Sequence, residues 1–530
     1  MKDLPIGVQS FEDLRSRNFL YIDKTEHIYR IATTGKIYFL SRPRRFGKSL
    51  LISTLQELYN GRKDLFEGLY IYDKWDWTRQ HPVIRIDWIS IVRETPEEIE
   101  RSLGTQIKIY ARDNNIELLS EYTADCLREL IVELHRKTGK KVVVLVDEYD
   151  APILDAIGKS SDIIKSIRVK VQSIYKILKA TDDHLEKVFL TGVSKFAGLS
   201  VFSALNNPKD ITLSDNYSTI CGYTQEELEM NFADYIDVTA AYMNITRDVL
   251  LEVMQERYNG FSWNGRDSVY NPVSVLRFFD EKEFCNYWFN TATPTFLIEL
   301  LKTRNNVESF LKPRPASEKV FGSYDPEQLE TTPLLFQTGY LTIKAKRIEN
   351  FHTTYILEAP NGEVRDAFVD HLFKAYSYLP PDDLTSVQID MIRQIKTLDS
   401  DGFNRSLKAM IANVPSILHD DDERYYHSLF QVWLYSLGFL IESEVPTNIG
   451  RIDAVWRMKD TIVIAELKHD RQAPLERLLA EVETQINDKK YYERYVVESK
   501  SLILLAVAFS GKEAGCKIRT IPQNETSPAH

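Results

Sequence analysis

Between about residue 17 and residue 215, short apolar runs rich in β-branched residues alternate with longer stretches whose apolar positions recur at helical spacing. The short runs are Ile37–Leu40, Val83–Ile86, Val142–Val146 and Val188–Thr191. Strands alternating with amphipathic helices predict a parallel sheet covered by helices on both faces. The segment Ile116–Lys137 predicts one of those helices, and Gly139 supplies a C-terminal cap just ahead of the Val142 strand.

The pattern then changes. Residues 224–330 read as mostly helical, with helices over Gln225–Asp234, Arg247–Tyr258 and Pro294–Leu311. Leu334–Ile343 and Thr353–Leu357 are strand-like runs around a polar turn, which is the pattern of a winged-helix wing and equally of a plain β-hairpin. Pro380-Pro381-Asp382-Asp383 marks a break, followed by helical sequence to about Ala412 and a boundary near Pro415–Asp422. Beyond it, Asp422–Leu437 predicts an amphipathic helix ended by Gly438. Gly450–Trp456 and Thr461–Lys468 form a hairpin across the polar turn Arg457–Asp460, Leu475–Tyr495 a helix, and Ser501–Phe509 a strand. Four segments are therefore expected: an α/β domain over 1–215, a helical section over 216–415 that holds the wing or hairpin, an α/β domain over 416–518, and a frayed tail over 519–530.

Composition narrows the class. The chain has 530 residues, 43% hydrophobic and 27% charged, which is the balance of a globular protein with more than one domain at about 100 to 200 residues each. A net charge of −11 excludes a surface basic throughout, so any nucleic-acid contact must be local. The 4 cysteines are far apart without a C-x-x-C pair, which argues against zinc and disulfide frameworks and fits a reducing cytoplasm. Met1–Gly7 lacks the regions of a signal peptide, and the longest apolar run, Leu502–Phe509, is far below spanning length. The expectation is a cytoplasmic, unanchored protein.

Candidate chemistry sits at two places. The first is the order strand, loop, helix over Ile37–Leu40, Ser41-Arg42-Pro43-Arg44-Arg45-Phe46-Gly47-Lys48-Ser49, and the apolar repeat from Leu50 to Leu58. In a P-loop, backbone N–H groups and a helix N-terminus cradle phosphates, Lys reaches the β and γ phosphates, and Ser ligates Mg²⁺. Gly47, Lys48 and Ser49 fit those roles, although Arg42 stands where the general pattern has its first glycine. Arg42, Arg44 and Arg45 either meet phosphate or a partner, or form a solvated basic loop. Val142–Val146 ends in Asp147 and Glu148, where Asp147 would hold Mg²⁺ and Glu148 would polarise the attacking water. At the end of a further strand, Thr191 or Ser194 would sense the γ-phosphate, or Thr191 simply caps the strand.

Leu4–Gly7, Phe19–Thr25, Arg42–Ser49, Asp147-Glu148-Tyr149-Asp150 and Leu190–Phe196 together resemble the AAA-ATPase-like domain found in many bacterial proteins. The resemblance covers roughly residues 5–215. In that family an arginine-rich loop commonly replaces the first P-loop glycine, and the resemblance implies an ATPase domain. The fragments Tyr258-Asn259-Gly260-Phe261, Tyr270-Asn271-Pro272 and Pro360–Arg365 also match it, and as Asn-Gly and Asn-Pro pairs they are turn formers first.

The second place is the C-terminal hairpin. Residues two apart on a strand face the same side, so Glu466 and Lys468 point together, and Asp453 on the partner strand completes a cluster. Two carboxylates of this kind hold Mg²⁺ or Mn²⁺ while the lysine positions water or steadies phosphate charge. Glu423, at a helix start, either joins the metal set or merely suits the helix dipole; His427 reads as a packing or surface residue. With Gln485-Ile486 on the following helix, residues 420–510 resemble the PD-(D/E)xK nuclease superfamily with its restriction-endonuclease-like fold. That resemblance implies metal binding by Asp453 and Glu466 and catalytic assistance by Lys468, with Gln485 in the site.

These readings converge on a protein that binds and hydrolyses ATP and whose C-terminal domain cuts nucleic acid, DNA before RNA, under ATPase control. Assembly into a homo-oligomer is compatible with this, and no membrane partner is expected. The competing expectation is a regulatory ATPase whose C-terminal fold binds nucleic acid or protein without cutting. A helicase is disfavoured, because no strand-tracking motifs are visible.

Overall fold

A computed structural model describes the chain apart from residues 158, 196–204, 206–207, 289–312, 323–329, 351, 378–380, 413–428, 431, 435–440, 448–449, 459, 471, 499, 511–512 and 522–530. The predicted helix Pro294–Leu311, the boundary at Pro415–Asp422, and the residues Glu423, His427 and Gly438 lie outside the described residues. Of the helix expected over Asp422–Leu437, Leu429–Phe430 and Val432–Leu434 are described and are helical. The chain separates into two compact units, one of residues 1–296 and 309–365, the other of residues 297–308 and 366–530.

The first unit is built on the strands β1 (Ile37–Ser41), β2 (Val83–Asp87), β3 (Val142–Asp147), β4 (Leu185–Gly192) and the short β5 (Lys209–Asp210). They lie in the order β2-β3-β4-β1-β5, and every pair is parallel. β1 and β3 are buried at every residue, which is why their sequences read as unbroken apolar runs. Around the sheet run α1 (Phe11–Ser16), α2 (Thr25–Thr33), α3 (Lys48–Tyr59), α4 (Pro96–Asp113), α5 (Thr123–Thr138) and α6 (Ser161–Ala180). α3 packs on β2, β3 and β4, while α4, α5 and α6 pack on one another. Gly139 ends α5 in the left-handed conformation, as its position predicts. The start of α5 differs: it begins at Thr123, not Ile116, because the backbone N–H groups of Leu119 and Ser120 donate instead to the Glu129 carboxylate.

Further helices of this unit are α7 (Gln225–Asn231), α8 (Ala233–Met243), α9 (Arg247–Tyr258) and α10 (Pro272–Glu281). The predicted helix Gln225–Asp234 is thus broken at Phe232, whose ring turns inward and stacks on Phe279 at 5.3 Å. The run from Leu334 is a second correction. Thr331–Gln337 is a helix, α11, in which residues 333–337 are all buried, and the strand begins only at Thr342. A short apolar run buried on all sides carries no periodicity to tell helix from strand. β7 (Thr342–Glu349) and β8 (His352–Glu358) do form the hairpin, joined by β6 (Arg314–Ser317) in the order β6-β8-β7. α11 is buried along nearly its whole length and offers no exposed face beside the hairpin.

The turn motifs of the middle section meet here. Asn271 caps α10 by accepting from Val273 and Ser274, Asn361 donates to the Asn259 carbonyl at 2.7 Å, and Gly260 passes close to the Pro360 carbonyl.

The second unit holds α12 from residue 366 of its span (Gly362–Ser377), α13 (Pro381–Lys396), α14 (Ser400–Ala412), α15 (Leu475–Asp488) and a sheet. Its strands are β9 (Ile441–Thr447), β10 (Gly450–Arg457), β11 (Thr461–His469), β12 (Ser501–Ser510) and β13 (Glu513–Thr520), ordered β13-β12-β11-β10-β9. Within this sheet only β11 and β12 pair in parallel, joined through α15, which packs on β11, β12 and β13. Arg519 and Thr520, expected in a frayed tail, instead belong to β13 and pair with Leu504 and Ile503. The β13 edge is covered by α14, whose Asn404 side chain bonds the backbone of Cys516 while Ser400 accepts from Ile518. The helix expected over Leu475–Tyr495 stops at Asp488; Lys490 turns to φ 41° and Tyr491–Glu498 continues as a 3₁₀ helix.

Two glycines test how the first unit is held. A methyl group on Gly139 (φ +67°) would meet nothing within 4 Å, whereas the same methyl on Gly260 (φ +96°) would sit 2.1 Å from the Pro360 carbonyl oxygen. Gly139→Ala is expected to cost about 1 kcal/mol from backbone strain alone, and Gly260→Ala clearly more. Denaturant titration of both variants checks the order; equal costs would refute the close approach at Gly260.

Candidate nucleotide and nuclease sites

The loop between β1 and α3 turns through two left-handed residues, Arg45 at φ 69° and Gly47 at φ 89°, so that α3 starts directly at Lys48. That helix has no side-chain N-cap and no acid in its first turn, and a methyl on Gly47 would meet nothing within 4 Å. An uncapped helix start beside open space is suited to an anion. Lys48 is almost wholly buried, and its ammonium donates to the carbonyls of Arg42 and Pro43, each at 3.1 Å. It is also 3.1 Å from Glu148. Ser49 is half-buried next to it, while Arg44 and Arg45 are exposed on the loop.

Arg42 takes none of the roles considered for it. It is fully buried, donates to the carbonyls of Ser41, Thr212 and Tyr217 at 2.9, 2.9 and 3.0 Å, and lies 3.9 Å from the centre of the Trp263 ring. Burial pulls its pKa down to about 10, yet it remains a cation at neutral pH. A residue expected near phosphate or solvent is thus a bracket between the P-loop strand and the helical section.

Because β4 lies between β1 and β3, its end faces both motifs. The Thr191 hydroxyl is buried and donates to Asp147 Oδ1 at 2.7 Å, with Arg85 3.6 Å from the other oxygen. The structure therefore brings Thr191 to Asp147 rather than to open space. Ser194 is fully buried as well. Asp150, quoted with the acidic motif but given no role from sequence, is fully buried and accepts from the N–H groups of Val193 (3.1 Å) and Ser194 (2.6 Å). Burial first, and the charge of Glu148 next, raise its pKa. Gly192 has no side chain because Asp150 and Tyr149 occupy that space, a methyl there coming 2.4 Å from Asp150 Oδ1.

A cavity of about 1080 Å³ opens from Gly47, Lys48 and Ser49. Its apolar wall comes from Pro5, Ile6, Val8 and Ile22 of the leader and from Ile220, Val273 and Leu276 of the helical section. A pocket that joins a phosphate cradle to an apolar slot has the dimensions and chemistry for a nucleotide.

In the second unit, Asp453 precedes the first β10–β11 pair along β10, and its Oδ2 accepts from the Leu467 N–H at 2.8 Å. Glu466 is only 2% exposed; Gln485 of α15 donates to its Oε2 at 3.1 Å, while Oε1 is buried with no hydrogen-bond partner among the described residues. Burial and then the neighbouring Asp453 carboxylate push the Glu466 pKa up to about 9. Lys468 points to the same helix but pairs with Glu481 at 2.7 Å, and Glu481 also binds Arg477. The structure thus unites Asp453, Glu466 and Gln485, with Lys468 one helical turn along α15. Lys489 and Tyr491, not singled out from sequence, border the same carboxylates; their signal was the polar run directly after Gln485-Ile486. Two facing carboxylates with an unsatisfied buried oxygen fit a divalent cation, whose charge would favour the ionised pair.

Among the described residues no helix is long and apolar enough to cross a membrane. The family model described as Predicted AAA-ATPase matches residues 5–202, and that of the PD-(D/E)XK nuclease superfamily matches residues 421–517. The chain is also 34% identical over 516 residues to the uncharacterized protein in the vnfD 5′ region of Azotobacter chroococcum mcd 1, covering 96% of each chain.

The Glu466 environment sets a pH dependence. A carboxyl whose pKa is higher folded (about 9) than unfolded (4.5) stabilises the fold while protonated, and that contribution falls away as pH rises from about 4.5 toward 9. Without divalent metal, the second unit is expected to lose stability across that window. Glu466→Gln should flatten the decline and raise stability at pH 8 by about 1–3 kcal/mol. Thermal melts in EDTA between pH 5 and 9 check this; parallel curves for both proteins would overturn it.

Proposed function

Because the chain belongs to the family of predicted AAA-ATPases that carry a C-terminal PD-(D/E)XK nuclease superfamily domain, we propose that it binds and hydrolyses ATP and cleaves nucleic acid, DNA in preference to RNA, under control of the ATPase domain. The observation that carries the nuclease half is the Asp453–Glu466 pair, with one Glu466 oxygen held by Gln485 and the other buried and unsatisfied.

In the nucleotide site, the N-terminus of α3 and Gly47 receive the phosphates, with Arg44 and Arg45 adding positive charge at the loop. Ser49 and Asp147 would hold Mg²⁺, and Thr191 fixes the Asp147 rotamer through its 2.7 Å bond. Lys48 exchanges Glu148 for phosphate oxygens, which frees the Glu148 carboxylate to orient the attacking water. The apolar slot between the leader and α10 would take the base.

In the nuclease site, Asp453 and Glu466 would hold Mg²⁺ or Mn²⁺, which would supply Lewis acidity at the phosphate. Gln485 keeps Glu466 in place, and Lys468, released from Glu481, positions the water. Glu423 is the further acid proposed for the metal set. Assembly of the ATPase domains into a homo-oligomer would give nucleotide state a route to the cutting end.

A second reading, in which the C-terminal fold binds without cutting, draws on the Lys468–Glu481 pair. One experiment separates them: cleavage of a DNA and RNA panel with Mg²⁺ or Mn²⁺, with and without ATP. Wild type should cut and Asp453→Ala should fall at least a hundredfold; equal background in both would leave the binding-only reading. Lys48→Ala should abolish ATP binding in calorimetry, and unchanged affinity would remove the phosphate-site assignment.

A further inference from the structure

Two lysines border the carboxylate pair, and they differ in what holds them. Lys468, in the acid-x-lysine motif, is committed to Glu481. Lys489 follows the last residue of α15, and no carboxylate lies within ion-pair distance of its ammonium among the described residues.

Its direction is set by local structure. α15 ends at Asp488, and the left-handed Lys490 reverses the chain, which brings Lys489 and Tyr491 back toward the start of β10. There they meet Gly450: a methyl on that residue would lie 3.0 Å from the Lys489 nitrogen and 3.3 Å from the Tyr491 hydroxyl. Glycine leaves that approach open, and a side chain there would press on the end of the lysine by a few tenths of an ångström. Tyr491 is fixed by donating to the Arg451 carbonyl at 2.8 Å, on the strand that carries Asp453. Its hydroxyl first, and then the charges of Glu466 and Asp453, raise the pKa of Lys489. Lys489 is half-buried, with its ammonium against Gly450.

A site that assembles two carboxylates repels a phosphodiester, and a metal ion offsets that repulsion only where it is coordinated. A fixed ammonium beside the pair supplies the remaining attraction. We propose that Lys489 is a second phosphate-contacting residue of the cleavage site, with its ammonium on a non-bridging oxygen of a nucleic-acid backbone, Gly450 giving it room and Tyr491 aiming it. This rests on the reading of the second unit as a nucleic-acid-cleaving domain.

The test uses the full chain and labelled single-stranded and duplex DNA, with binding followed by fluorescence anisotropy in EDTA from 50 to 200 mM salt. Loss of one phosphate contact lowers the slope of log K against log salt by about 0.7–0.9. Lys489→Met should show that loss, Lys489→Arg should restore the slope, and Lys490→Ala, which removes an equal charge from the next residue, should leave it unchanged. With Mn²⁺, Lys489→Met should cut at least tenfold more slowly. Lys489→Gln, which keeps a polar side chain without the charge, should lower the slope in the same way and serves if Lys489→Met does not fold. Wild-type slope and rate in Lys489→Met, or equal losses in Lys490→Ala, would overturn the role of Lys489 while leaving the nuclease reading intact. Failure of the wild type to bind or cut any DNA would instead overturn the nuclease reading and this inference with it.

Discussion

The first unit depends on a cation with nowhere to go. Arg42 is buried without a carboxylate partner among the described residues, and three backbone carbonyls and the face of Trp263 take the place of water. An arginine keeps its charge in such a setting because its intrinsic pKa is so high, and desolvation only narrows the margin. Since the carbonyls come from β1 and from residues 212–217, the guanidinium ties the phosphate loop to the start of the helical section. Nearby, the Trp288 indole donates to the Arg44 carbonyl at 2.9 Å, and Phe46 packs edge-on against Phe261 and Trp263. The P-loop is therefore supported from both sides by residues far away in sequence. An arginine where many P-loops have glycine is a structural requirement of this packing.

The two candidate sites solve opposite electrostatic problems. At the nucleotide site a buried lysine sits among carbonyls and one acid, and an uncapped helix start adds partial positive charge, so the site attracts an anion. At the C-terminal site two carboxylates are forced together by strand register in a setting that disfavours ionisation, so the site attracts a cation. In both, the acting groups are held by neighbours that do no chemistry: Thr191 and Arg85 on Asp147, Asp150 on the turn after β4, Gln485 on Glu466. Such support limits the rotamers open to each of these side chains.

Much was legible from residues in order. The apolar runs 37–40 and 142–146 stood out because fully buried parallel strands are uninterrupted, and 83–86 stood out by its β-branched residues although that strand is buried only at alternate positions. The hairpin of β10 and β11 stood out through its polar turn, and strand alternation put Glu466 and Lys468 on one face beside Asp453, while Gln485 could be named only through the resemblance to the nuclease superfamily. Errors fell where periodicity is uninformative. α11 is buried on all sides, Phe232 breaks a helix to fill the core, and the segment before Thr123 is held by a side chain ten residues away.

What the sequence determined by itself was the local grammar: which segments are strands and helices, which loop can cradle phosphate, and which acids share a face. Those follow from steric and hydrophobic periods that act over a few residues. Only the tertiary structure decided which charges are neighbours. Arg42 is a bracket rather than a phosphate ligand, Thr191 serves Asp147, Lys468 answers to Glu481, and the Lys489 ammonium lies against Gly450. The energy of a charge depends on its burial and on partners brought in by sheet order and helix packing, and no window along the chain contains them.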